Sequence, residues 1–127
     1  MIAESQRVWL RRRALQAAPY EVCGFILDDG DIVEIRNISL APLRAFKMDR
    51  EQMFQKLYGR EHSIAGIWHT HPGGTTHPSQ TDLAGIKCGA ILRDWKYYIV
   101  TANSVTLYLP EHYAPQDNTF WAAFQHA

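Results

Sequence analysis

The segment Ile64-Ala65-Gly66-Ile67-Trp68-His69-Thr70-His71 is strongly apolar until its last three residues, and Pro72-Gly73-Gly74-Thr75-Thr76-His77-Pro78 follows without a gap. The first stretch reads as a short strand and the second as a loop by every rule of turn chemistry. Together they constrain the chain more than anything else in it, because a strand that turns polar only at its end has to deliver that end to a loop. Side chains alternate along a strand, so His69 and His71 project to one face. Ser79 can then open a helix that runs beside the strand end and carries Asp82, in its first turn, towards the same point.

At 127 residues the chain can bury one core and hardly two, so one site is expected. Residues 3–17 lack helix breakers and predict a helix with a modest apolar face at Val8 and Leu15, Arg11 to Arg13 being a solvated face, and Pro19 ends it. Residues 21–27 and 32–38, joined by Asp28-Asp29-Gly30-Asp31, predict a β-hairpin. Residues 39–47 read as a connection, after which Asp49 can cap a helix carrying Met53, Phe54, Leu57 and Tyr58. Beyond the loop, a helix is predicted over 79–88 and strands over 90–92, 97–101 and 105–109. No repeat or linker divides residues 1–109. The tail, residues 110–127, holds Tyr113, Phe120, Trp121 and Phe124 and is expected to pack back on the domain or dock a partner.

Acidic and basic residues number 13 each, so no global field favours nucleic acid or an anionic membrane. Cys23 and Cys88 are too few for a disulfide framework and read as buried thiols in a reducing compartment. No apolar run approaches the ~18 residues of a membrane span, and the N-terminus lacks a signal-peptide pattern. A soluble, cytoplasmic protein is the expectation.

Two imidazoles and a carboxylate, with a fourth position left to water, are the donor set of a catalytic zinc site, whereas a structural site is closed by protein ligands. Zinc brings the pKa of its water to about 7 and polarises a carbonyl oxygen. Amide hydrolysis also needs a proton shuttle outside the metal's own ligands. Glu21 is the candidate, since it precedes the apolar stretch 22–27, where a charge is costly unless it faces a cleft, water or a cation. Ser79 would lie between helix start and metal, its hydroxyl available to the oxyanion. Pro72 would fix the chain direction, and Gly73-Gly74 would permit close backbone approach.

Plainer readings compete for several of these residues. His62, His77, His112 and His126 read as ordinary surface or core histidines. Ser79 to Asp82 also spells a capping box, and one residue can serve both purposes. Cys23 shares strand parity with Glu21 but reads as a small buried hydrophobe, as does Cys88, while Trp68 and Trp95 read as core. The pair His69 and His71 has little packing rationale beside a Pro-Gly-Gly loop.

The combination of Glu21, His69-Thr70-His71-Pro72 and Ser79-Gln80-Thr81-Asp82, opened by Pro19-Tyr20-Glu21-Val22-Cys23-Gly24, resembles the JAMM, or MPN-plus, metallopeptidases. The resemblance runs from the first helix to about Leu109. It implies an α/β fold, a single compact deaminase-like MPN domain with a mixed β-sheet flanked by helices. It also implies Zn2+ held by His69, His71 and Asp82, with Glu21 as acid/base and Ser79 as oxyanion donor. Members cut peptide or isopeptide bonds, many just after the Gly-Gly end of ubiquitin or a ubiquitin-like protein, and others process sulfur-carrier proteins. Residues 37–49 and His-Pro-Gly-Gly look most like the small prokaryotic and phage-tail branch.

The expected activity is therefore hydrolysis at the C-terminal tail of a ubiquitin-like or sulfur-carrier protein, the tail laid along an edge strand. The alternatives are a phage tail-assembly peptidase, with a phage tail protein as substrate, or a non-catalytic MPN scaffold. A base deaminase would need His-x-Glu and Pro-Cys-x-x-Cys, and neither is present.

Overall fold

The computed structural model describes residues 2–82 and 95–108. Cys23–Leu27 (β1) and Ile32–Ile35 (β2) form an antiparallel hairpin, with Cys23 opposite Ile35 and Phe25 opposite Val33. Its turn uses Gly30 at φ 91°, a left-handed conformation that glycine adopts without steric cost, and Asp29 Oδ1 accepts from the Asp31 N–H. On its other side β1 pairs antiparallel with Ile64–Thr70 (β3). β3 pairs in parallel with Lys96–Val100 (β4), which pairs antiparallel with Val105–Tyr108 (β5). The order β2-β1-β3-β4-β5 makes a mixed sheet with β3 at its centre. That position explains the apolar run, because a central strand covered on both faces has no solvent side to make polar.

Alternation sorts the core into two layers. Phe25, Ile67, Tyr97 and Ile99 pack on one face with Met53 and Leu57 of Arg50–Leu57 (α2). Ile26, Trp68, Tyr98 and Val100 pack on the other with Leu10 and Ala14 of Glu4–Ala17 (α1). Each fully buried aliphatic side chain in such layers contributes about 1.5–3 kcal/mol. Asp49 caps α2 as expected, its carboxylate accepting from the Glu51 N–H at 3.1 Å. The chain is a single compact α/β domain, a mixed sheet with helices.

Several expectations are corrected in detail. The buried face of α1 is Leu10 and Ala14, rotated well away from the predicted Val8 and Leu15, and Leu15 is exposed. Two apolar residues seven apart do share a helix face, but tertiary packing turned the Leu10 and Ala14 face inward, against Ile26, Trp68, Tyr98 and Val100. Arg13 is not simply solvated: its guanidinium holds Glu34 of β2 through two hydrogen bonds of 2.7 and 2.8 Å. β1 begins at Cys23 rather than Glu21, and β2 ends at Ile35, followed by a single bridge from Asn37 to Met48. Phe54 and Tyr58 are exposed, leaving Met53 and Leu57 as the buried pair of α2. The predicted course of the chain over 83–94, Cys88 and the strand at 90–92 included, and over 109–127 lies outside the described residues. Among the described residues no helix is long and apolar enough to cross a membrane.

Candidate metal centre

The C-terminal end of β3 carries His69, and His71 follows one residue beyond the strand. Both keep the parity of the α2 face, and both are buried. Residues 80–82 are helical, and Asp82 lies in that first turn, also buried. The three predicted ligands therefore meet: the Nε2 atoms of His69 and His71 are 2.8 Å apart, and Asp82 Oδ2 lies 3.2 and 3.0 Å from them. His69, His71 and Asp82 form the metal-competent group found among the described residues.

Neighbouring groups fix how these atoms present their lone pairs. His71 Nδ1 lies 2.9 Å from the Thr75 carbonyl oxygen, which can only accept, so Nδ1 carries a proton and Nε2 is the nitrogen turned to Asp82 and to any metal. His69 Nδ1 lies 3.1 Å from the Tyr97 hydroxyl, and its ring stacks on Phe46 with centroids 4.6 Å apart. Partners of this kind orient ligating imidazoles and set their tautomers. Three electron-rich atoms this close repel unless a proton or a cation lies among them. Their separations approach the ~3.3 Å edge of a tetrahedron with bonds of about 2.0–2.1 Å, so two imidazole nitrogens and a carboxylate oxygen fit a divalent metal.

Ser79 performs the capping role foreseen for it. Its Oγ accepts from the Asp82 N–H at 3.0 Å, and its own N–H donates to Asp82 Oδ2 at 2.9 Å. The hydroxyl proton is not used by that exchange. Ser79 lines a cavity of about 240 Å³ together with Glu21 and His71.

Glu21 sits two residues before β1, its backbone pinned at both ends: the N–H donates to Pro42 O at 2.8 Å, and the carbonyl accepts from Asn37 Nδ2 at 2.9 Å. The residue is 6 % exposed, and Oε1 is buried with no hydrogen-bond partner among the described residues. An unpaired buried carboxylate oxygen is costly, which makes a ligand or water from the site its natural partner. Burial and the nearby Asp82 charge push its pKa up to about 7, with His71 pulling the other way.

The ligands themselves are strongly perturbed. Burial would raise Asp82, but hydrogen bonds from His69 and His71 outweigh it and hold the carboxyl below the usual carboxylate range. Burial lowers His69. In His71 burial acts downward too, but Asp82 and the Thr75 carbonyl raise it on balance.

The plainer readings are resolved for the described residues. Cys23 is fully buried, its thiol 3.5 Å from Ile35 O, and burial raises its pKa, so it packs in the core as a neutral thiol. Trp68 and Trp95 are core residues. His62 is exposed, and His77 lines the cavity without joining the ligand group. Reasoning from sequence missed Tyr97, Phe46 and Asn37. Strand parity gave a partial signal for Tyr97, but only the β3–β4 register, with Ile67 opposite Tyr97, brings its hydroxyl to His69. Nothing local distinguishes Phe46 or Asn37.

The model of the family Prok-JAB, prokaryotic homologs of the JAB domain, matches residues 4–121. The solution structure of protein DSY2949 from Desulfitobacterium hafniense has the same fold, with a TM-score of 0.63, 18% identity, and coverage of 91% of this chain and 92% of that one. No curated protein matches the chain.

Proposed function

The chain belongs to the prokaryotic homologs of the JAB domain, and from that membership we propose that it is a zinc metallopeptidase. It hydrolyses a peptide or isopeptide bond at a Gly-Gly type C-terminal tail of a ubiquitin-like or sulfur-carrier protein. The observation that carries this reading is the buried, unpartnered Glu21 Oε1 in the cavity shared with His71 and Ser79. A purely structural metal site has no use for a proton acceptor held ready beside it.

His69 Nε2, His71 Nε2 and Asp82 Oδ2 would hold the metal. When bound there, zinc supplies a Lewis acid that makes water acidic and an amide carbonyl electrophilic. Glu21 takes a proton at Oε1 from the attacking water and returns it to the departing nitrogen, a role that favours a carboxyl titrating near neutrality. The Ser79 hydroxyl donates to the oxygen of the attacked carbonyl. Tyr97 and the Thr75 carbonyl hold the imidazoles in place throughout. The cavity, about 240 Å³ and open to solvent, lies beside Glu21 and His71, where an extended Gly-Gly type tail could be laid.

The test is cleavage of ubiquitin-like and sulfur-carrier proteins extended beyond their Gly-Gly ends, followed by mass spectrometry. Activity should disappear on chelation, return with zinc, and be lost in Glu21→Gln. Cleavage that survives both treatments would overturn the mechanism. Protein never exposed to chelator that carries no near-stoichiometric metal would favour a non-catalytic scaffold instead.

A further inference from the structure

The cavity that opens on Glu21, His71 and Ser79 is also lined by Leu43 and Arg44. Arg44 is its sole lysine or arginine among the described residues, and its side chain is exposed. Arg11, Arg13, Arg36 and Arg60 each pair with a carboxylate. Arg44 has no ion pair and no side-chain hydrogen bond among the described residues.

The turn that carries Arg44 is firmly held. The N–H groups of Arg44 and Ala45 both donate to Ala41 O, at 3.1 and 3.0 Å, and Pro42 O receives the Glu21 N–H. Asn37 Nδ2 donates both to Glu21 O and to Ala45 O, which ties the turn to the backbone of Glu21 itself. The backbone that carries Arg44 is thus fixed at the rim of a site whose other charged side chains, Glu21 and Asp82, are acids, and its guanidinium has no ion pair among the described residues. Arg44 adds a cation beside these acids and the metal that Asp82 would help to hold. With it, a carboxylate entering the cavity meets a planar donor fork shaped to bind it through two hydrogen bonds.

We propose that Arg44 is a specificity residue that reads a carboxylate on the substrate close to the scissile bond. The carboxylate is either the terminal one of a short departing segment or an acidic side chain beside the bond. The proposal rests on the peptidase reading for its substrate, but not for the binding of that carboxylate.

Four peptides separate the possibilities: Gly-Gly-Ala-Ala with a free C-terminal carboxylate, its C-terminal amide, and the amides of Gly-Gly-Asp-Ala and Gly-Gly-Lys-Ala. Their affinity for zinc-loaded Glu21→Gln protein is measured by NMR titration, and the same tails fused to a ubiquitin-like protein are tested for cleavage by the wild type. The free acid or the Asp peptide should bind roughly five- to tenfold more tightly than the neutral amide, as expected for a partly solvated charged hydrogen-bond pair. Preference for the acid over its amide identifies a terminal carboxylate, and preference for the Asp amide an acidic side chain.

Arg44→Ala should erase the ratio, Arg44→Lys retain part of it, and Arg44→Glu transfer the preference to the Lys peptide. Arg12→Ala, altered on the exposed side of α1, should keep it whole. Equal affinities, no binding of any peptide, or a ratio that survives Arg44→Ala overturns the proposal. Selective binding of the acidic peptides without cleavage of any fusion would retain the Arg44 site while rejecting the peptidase reading.

Discussion

Glu21 shows what it costs to bury a single carboxyl beside a second acid. Its carboxyl titrates at about 7 in the fold against 4.5 as a free side chain. A carboxyl raised in this way contributes stability fully below about pH 4.5 and loses that contribution as pH rises through about 7, because the ionised form is the disfavoured one. Glu21→Gln cannot ionise, so metal-free variant and wild type should diverge with pH. The variant gains on the wild type by up to roughly 3 kcal/mol between pH 4.5 and 8, read from urea denaturation at both values. A difference that stays constant across that range would mean the carboxyl is not strained in the fold. Asn37 is the second residue on which the site leans. Its amide donates to Glu21 O and Ala45 O and accepts from the N–H groups of Ser39 and Lys47, so every polar valence of the side chain is engaged. Asn37→Asp keeps the acceptor and removes both donors. It should cost about 1–3 kcal/mol of stability and lower kcat/KM, since Glu21 and the turn that carries Arg44 each lose a donor.

At the level of elements, β1 and β3 are packed too closely to tolerate ordinary side chains everywhere. A methyl group built on Gly66 would come within 2.7 Å of Lys96 O, and one on Gly24 would run into Val33 O and approach Trp68 Nε1 to 2.9 Å. Neither glycine has a positive φ, so the requirement is space rather than backbone freedom. Gly24→Ala should therefore cost more than about 3 kcal/mol, because backbone on β2 must move, and thermal denaturation would show it. The β2 edge is already engaged by α2: Lys56 Nζ donates to Glu34 O at 2.7 Å, and Gln52 accepts from the Arg36 N–H. Covering an edge in this way limits unwanted strand addition. A substrate tail paired as an extra strand would have to use backbone other than these two groups.

On the scale of the whole molecule, the three side chains that could hold a metal come from two places that the fold has to bring together: the end of β3 and the helical turn at 80–82. Binding of a divalent ion should consequently stabilise the entire domain, by about 2.7 kcal/mol when zinc is present at a hundred times its dissociation constant. Zinc titration followed by thermal unfolding would test this, and the stabilisation should shrink on acidification because protons compete for the imidazoles. His71→Ala should abolish the zinc response; a response that persisted would place the ion elsewhere. The sequence by itself determined the apolar strand and its two same-face histidines, the capping turn that presents Asp82, and the acidic side chain of Glu21 ahead of β1. These follow from alternation, turn chemistry and motif spacing, which are local. Only the tertiary structure decided which face of α1 is buried, that the Tyr97 hydroxyl and the Phe46 ring hold His69, and that Asn37 ties Arg44's turn to Glu21. Those contacts depend on strand register and on backbone segments meeting across the sheet, and no pattern along one stretch of chain encodes such distances.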